Sequence, residues 1–157
     1  MLKIRNALPE DVWQIMDLLS QVLELHAAIR PDIFIPGTTK YTPGELLDIF
    51  KNEKRRTYVA EDEDGHVIGY AFCEIREQPF ATDMVQFKSF FIDDLCVDKD
   101  ARGKRVGREL FEYCRREAAK LDCYEITLNV WEGNDSARAF YEKMGMRPKE
   151  TQMELIL

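Results

Sequence analysis

The spacing of apolar positions changes period several times along the chain, and each change marks an element. Residues 2–7 alternate apolar and polar and predict a first strand. Pro9, Glu10 and Asp11 follow, the residue types that a helix N-terminus favours. Val12, Ile15, Met16, Leu19, Val22 and Leu23 then recur at helical spacing to about Ala28, and Pro31 stops the pattern. Residues 33–42 carry Pro36 and Gly37 and read as loop. Thr42, with Glu45 three positions on, is a capping-box start for a short helix to about Asn52.

Two strands are expected over 58–61 and 67–75, joined at Asp64-Gly65, and residues 78–83 form a loop through Pro79. The apolar run over 87–97 predicts a long interior strand. Val106, Leu110, Phe111, Cys114, Ala118 and Leu121 share one face of the helix that follows. A strand over 125–130 comes next. A helix from Asn134 to Met144 is capped by Asn134 and ended by Gly145, and a last strand is expected over 153–157. The order β-α-α-β-β-β-α-β-α-β requires at least one parallel pair joined by a crossover helix. The fold class is therefore α/β, a mixed sheet with helices on both faces.

Composition narrows the function. The 157 residues fit a single domain over 1–157, long enough to bury a core without staples. The first residues show no apolar run behind their charges, so a secretory signal is not expected, and no stretch is long enough to span a membrane. Cys73, Cys96, Cys114 and Cys123 form no Cys-x-x-Cys pair and lie in apolar-periodic segments, as buried reduced thiols of a cytoplasmic protein do. His26 and His66 lie in different segments, which leaves no zinc set and makes a Ser/His/Asp triad hard to build. The net charge of −7 disfavours nucleic acid as a partner.

Against that acidic background, Arg102, Lys104, Arg105 and Arg108 cluster within seven positions, where an apolar strand turns through Gly103 into a helix. A helix start offers unpaired N–H groups and a positive dipole end, and glycine permits close backbone approach. A small anionic, phosphate-bearing ligand is indicated. Neither Gly-x-Gly-x-x-Gly nor Gly-Lys-Ser/Thr occurs, so the dinucleotide and nucleoside-triphosphate loops are not the route.

The stretch Arg102-Gly103-Lys104-Arg105-Val106-Gly107 resembles motif A of the GNAT N-acetyltransferases, with Arg105 where that family usually has glycine. Asn134 through Met146, with Ala137, Phe140, Tyr141 and Gly145 in place, looks like the family's motif B, Met146 replacing a usual phenylalanine. Ile4, Arg5 and Ala7, followed by Glu10 and Asp11, fit its opening.

The resemblance implies an acyl-CoA N-acyltransferase fold, a mostly antiparallel twisted sheet with a central splayed parallel strand pair. It implies acetyl-CoA as cosubstrate and no metal. Backbone groups of Leu95, Cys96 and Val97 would meet the pantetheine arm. The segment Arg102, Gly103, Lys104, Arg105, Val106, Gly107 and Arg108 would hold the pyrophosphate, with Asn134, Arg138 and Tyr141 on the coenzyme's other side. Tyr141 is the implied general acid. Asp93 is the preferred base, acting through water, with Asp94 and a water chain as alternatives. Because neighbouring strand residues normally face opposite ways, only one of the two aspartates is expected to face the cleft.

The implied reaction moves acetyl from acetyl-CoA to a primary amine of a small molecule, a polyamine or amino compound. Relatives that acetylate protein N-termini carry a glutamate where Asn129 stands here, and an amide accepts no proton at neutral pH. A protein N-terminal or lysine acetyltransferase and a non-catalytic acyl-CoA sensor stay open as alternatives. Phe34, Tyr41 and Phe80, with Glu45, Glu74, Glu77 and Asp83, are candidates for the acceptor side, and a homodimer is an expectation.

Overall fold

The computed structural model describes residues 1–78 and 81–157; Pro79 and Phe80, expected in a loop bordering the acceptor side, lie outside the described residues. Five strands form one sheet in sequence order: β1 (Lys3–Asn6), β2 (Arg55–Glu61), β3 (Val67–Glu77), β4 (Lys88–Val97) and β5 (Glu125–Leu128). β1 to β4 pair antiparallel, and β4 with β5 is parallel. The helices are α1 (Val12–Ile29), α2 (Pro43–Lys51), α3 (Val106–Lys120) and α4 (Asp135–Lys143).

The start of α1 shows why the opening reads as it does. Pro9–Asp11 forms a 3-10 turn before the α-helix. Asp11 is buried beneath it, accepting from the Leu8 amide at 2.7 Å and from both terminal nitrogens of Arg5 at 2.7 and 3.0 Å. Burial raises the Asp11 carboxyl, but Arg5 and the amide outweigh it and hold it below the usual carboxylate value. Thr42 caps α2 through the Glu45 amide, and Gly65 and Gly145 take the positive φ their turns need.

The core lies on both faces of the sheet. Ile15, Leu18 and Leu19 of α1 and Leu46 of α2 pack on Val59, Tyr70 and Phe72. On the opposite face Val106, Leu110, Phe111 and Cys114 of α3 pack on Ala60, Ala71, Phe90 and Ile92. Each of the valines, leucines, isoleucines and phenylalanines among them contributes ~1.5–3 kcal/mol on burial. Close approach of α3 depends on Gly69 in β3, where a Cβ would lie 3.0 Å from both the Cys96 carbonyl oxygen and the Leu110 side chain.

One expected element is not there. Residues 153–157 form no strand; they carry no ladder partner, and β5 is left as the sheet's edge. Among the described residues no strand pairs with their apolar alternation, and Met153, Leu155, Ile156 and Leu157 are all more than two-thirds exposed. The short α4 likewise buries no residue completely, although Phe140, Tyr141 and Met144 lean on the α3 side of the core.

Candidate active site

β4 and β5 pair only from Ser89 opposite Glu125 to Ile92 opposite Leu128. β5 stops there, while β4 runs on to Val97. On its other edge β4 stays bound to β3, with Leu95, Cys96 and Val97 opposite Ala71, Tyr70 and Gly69. The parallel pair is therefore splayed, and the edge of residues 95–97 that faces away from β3 is free of β5. Leu95 and Val97 turn their side chains toward α3, and Cys96 is buried toward α1, its Sγ 3.7 Å from the Leu18 carbonyl.

Beyond Val97 the chain makes a 3-10 turn, Lys99–Ala101, capped by Asp98 through the Asp100 amide. Gln21 of α1 ties this turn down: it donates to Asp98 at 3.2 Å and accepts from the Lys99 amide at 3.1 Å. Gly103 follows at φ +80° and Arg105 at φ +64°, both left-handed. A residue other than glycine there costs ~1–2 kcal/mol, which explains why glycine is usual at the Arg105 position. No side chain caps α3, and its first ladder bond is Glu109 N–H to Arg105 O at 3.0 Å. The amides of Val106, Gly107 and Arg108 thus point out of the helix start. Gly107 faces Phe140 of α4 and Val97 of β4, where a Cβ would make ordinary contact at 3.4 and 3.5 Å. Arg102, Lys104, Arg105 and Arg108 are exposed and, among the described residues, enter no ion pair.

On the far side of the splay, Asn134 caps α4 through the Ala137 amide, and Arg138 is held by Glu142 at 3.0 Å and Glu132 at 3.4 Å. Tyr141 lies inward on the same helix, its ring 5.1 Å from Phe140 and 6.2 Å from Phe111. Burial, reinforced by the field of Asp94, pushes its phenol well above the usual value, so it stays protonated throughout the neutral range.

The two aspartates depart from simple alternation. Phe72 pairs with Asp94 but Cys73 pairs with Ile92, so Asp93 is the extra residue of a β-bulge. The bulge turns both carboxyls to the α1–α2 side, contrary to the expectation that one would face away. Asp93 accepts from Lys40 Nζ and Tyr41 OH, each at 2.8 Å, with Arg55 3.8 Å away. Burial raises its carboxyl, but Lys40, Tyr41 and Arg55 outweigh that and hold it below the usual value. Asp94 accepts from the Tyr70 hydroxyl at 2.5 Å, and its burial prevails, raising its carboxyl. His26 feels the fields of Asp94 and Lys40, and burial lowers its imidazole below the usual value.

Phe34 bridges His26 and Trp131, with ring centroids 5.3 and 5.4 Å apart. A depression of about 260 Å³ lies outside the Tyr41–Arg55 pair, lined also by Glu45, Asp48, Ile49 and Asn52. Of the other expected acceptor-side acids, Glu74 sits 3.3 Å from Arg76 on the same strand.

A bulged strand bearing two carboxyls, a splayed parallel pair and an amide-rich turn into α3 are thus placed side by side. A family model for the acetyltransferase (GNAT) family matches residues 19–146. The chain belongs to the GNAT acetyltransferase family. Within the GNAT fold it is similar to a mutant form of a Bacillus halodurans protein known from a crystal structure, at 34% identity, TM-score 0.95 and 99% coverage of each chain. It is 29% identical to the 5-NmdU N-acetyltransferase of Pseudomonas phage PaMx11, over 92% of this chain and 86% of that one. It is 35% identical to the glucosamine 6-phosphate N-acetyltransferase of Arabidopsis thaliana, over a match spanning 42% of each protein.

Lys40, Arg55, Tyr70, His26 and Gln21 were not legible as site residues. They come from four separate elements or loops, and no local spacing signals their convergence. The adjacent pair Asp93-Asp94 inside an apolar run was the one available hint of the bulge.

Proposed function

We propose that this single domain transfers acetyl from acetyl-CoA to a primary amine of a small molecule, by direct attack in a ternary complex. The observation that carries the reading is the splay at Ile92 and Leu128, with outward amides at one end and the Asp93–Asp94 bulge at the other. The residues present fit the coenzyme: Gly103, Gly107 and the left-handed Arg105 form a turn whose amides face outward, with unpaired basic side chains around it. The backbone of Leu95, Cys96 and Val97 would hold the pantetheine arm, and residues 102–108 the pyrophosphate. Asn134 and Arg138 would border its other side at the head of α4. Acetyl-CoA supplies the activated acetyl thioester when bound.

In this reading Asp94 takes the proton from the attacking amine. A buried carboxyl with a raised pKa is the better matched base of the two. Asp93 holds Lys40 and Tyr41 in place beside it, and its ion pair leaves it a poor proton acceptor. Tyr141 keeps its proton until the sulfur departs, then donates it. The carboxylates Glu45 and Asp48 along the outer depression favour a cationic acceptor such as a polyamine or amino compound. Among the described residues no helix is long and apolar enough to cross a membrane, and the reading takes the working form as a cytoplasmic homodimer.

The test is thiol release from acetyl-CoA across a panel of amines and peptides, with the parent and Tyr141→Phe. Amine-dependent release that falls by ~10²-fold or more in the variant, at unchanged acetyl-CoA affinity, is expected. Release by peptides alone sinks the small-amine reading, and coenzyme binding without turnover on any acceptor sinks catalysis.

A further inference from the structure

A second depression, of about 210 Å³, opens where β1 and α2 end and β2 begins. No residue of the coenzyme turn lines it. Its wall is made by Asn6, Lys51, Glu53, Arg55, Arg56 and Thr57 among others. Three cations thus meet one carboxylate, in a chain whose net charge is −7. Neither Lys51 nor Arg56 enters an ion pair among the described residues. The Arg56 guanidinium donates to backbone, the carbonyls of Glu53 and Arg55.

The floor of the depression has unmet hydrogen-bonding capacity. Arg55, Thr57 and Val59 share one face of β2 by alternation, the face on which α2 packs. Thr57 is 7% exposed, and its hydroxyl bonds to nothing among the described residues. Arg55 Nε is likewise buried and unbonded. Buried polar atoms are nearly always paired, so two orphans on residues that line one depression call for a partner. Arg55 Nη2 is already engaged, donating to the Tyr41 hydroxyl at 2.9 Å. Its guanidinium is therefore shared between this depression and the one outside Tyr41. Carbonyls of the turn offer a negative occupant little opposition. Ile49 O accepts from the Asn52 amide, Asn52 O from the Arg55 amide and Glu53 O from Arg56. Lys51, in the last turn of α2, offsets the negative end of that helix.

We infer that this depression binds a phosphate-class dianion, the free ion or a phosphomonoester, at a site separate from the coenzyme turn. Lys51 and Arg56 supply charge at the rim, and Arg55 Nε and the Thr57 hydroxyl donate from the floor. Three cations around one acid favour a doubly charged tetrahedral group, whose oxygens accept from several directions, over a single carboxylate. The site goes beyond the acetyl-transfer reading and does not depend on it.

Calorimetric titration tests it, with excess CoA present to fill the α3 end and at a pH where phosphate is a dianion. Inorganic phosphate and methyl phosphate are titrated in turn, with acetate as the singly charged comparison. The parent is expected to bind one phosphate ion at least ~10-fold more tightly than acetate. Whichever phosphate binds more tightly tells whether the free ion or a monoester is the occupant. Thr57→Val removes the hydroxyl at nearly constant shape, and Lys51→Ala removes a charge from an exposed side chain. Each should weaken phosphate binding at least ~5-fold with Tm unchanged. Should CoA fail to bind, the same two variants still locate the site. A parent that binds no phosphate, acetate held as tightly as phosphate, or a folded variant that binds phosphate as the parent does overturns the proposal. If Thr57→Val does not fold, Lys51→Ala decides alone.

Discussion

The two ends of the cleft hold charge by opposite means. At the α3 end the attraction is built from backbone: outward amides, a helix dipole and two left-handed residues, ringed by arginines and a lysine that touch no acid among the described residues. At the α1–α2 end it is built from side chains already paired with one another, Lys40 and Arg55 as cations against Asp93, and the Tyr70 hydroxyl as a hydrogen-bond donor to Asp94. The first end is open and sensitive to salt, suited to a ligand that brings its own negative charge. The second is desolvated, and there a small imbalance decides which group holds a proton. Burial outweighs the hydrogen bond at Asp94, and the ion pair outweighs burial at Asp93. Two adjacent carboxyls are thereby driven apart in acidity, a requirement for one to act as base while the other stays a fixed charge.

The largest test of this contrast is Asp94→Asn. Loss of the base is expected to lower kcat by ~10²–10⁴-fold, while acetyl-CoA affinity changes little, because the amide turn is untouched. Asp93→Asn should act mainly on KM for the amine, by freeing Lys40 and Tyr41. Steady-state kinetics of both variants, with thermal melts as folding controls, check the division. Equal losses of kcat at equal stability would sink the assignment of the base to Asp94.

A smaller effect is expected at the other end. Replacing Arg102, Lys104 and Arg108 together by alanine removes three charges but leaves every amide of the turn in place. KM for acetyl-CoA should rise about 10-fold with kcat retained, and its dependence on ionic strength should flatten. A triple variant whose KM stays within twofold of the parent at low salt would mean that the backbone alone holds the anion.

The difference between the ends also explains what the sequence revealed. Backbone sites are encoded locally: Gly103, Gly107 and the basic residues around them lie within seven positions, and the strand-to-helix switch is visible in the apolar period. The helix caps at Thr42 and Asn134 and the turns at Gly65 and Gly145 were legible for the same reason. The side-chain end joins Lys40, Tyr41, Arg55 and Tyr70 to β4 across up to 53 positions of sequence. Only the fold brings them together. The bulge at Asp93 breaks the alternation on which a strand reading relies, so both carboxyls face one side where period-two logic allows one. The strand expected over 153–157 had the right alternation, but a pattern does not say which edge, or whose, it pairs with.

The finest test lies in the Tyr70 hydroxyl. It donates to Asp94 and so favours the carboxylate, opposing the burial that raises the pKa. Tyr70→Phe removes the donor and keeps the ring that packs tilted against Phe72, 4.7 Å between centroids. With burial then unopposed by this bond, the Asp94 pKa must move further up. The base works only when ionised, so the rising limb of kcat/KM must move to higher pH. A hydrogen bond of ~1 kcal/mol corresponds to about a fivefold loss on that limb, shrinking as the pH rises past it. The stability change has the matching sign. A carboxyl whose folded pKa lies above its unfolded value weakens the fold as pH rises through that range. The variant should therefore lose more stability at neutral than at acidic pH. A pH–rate profile with melts at two pH values reads both effects. A limb that stays in place, or moves to lower pH, would show that the titrating base is not the carboxyl bonded to Tyr70.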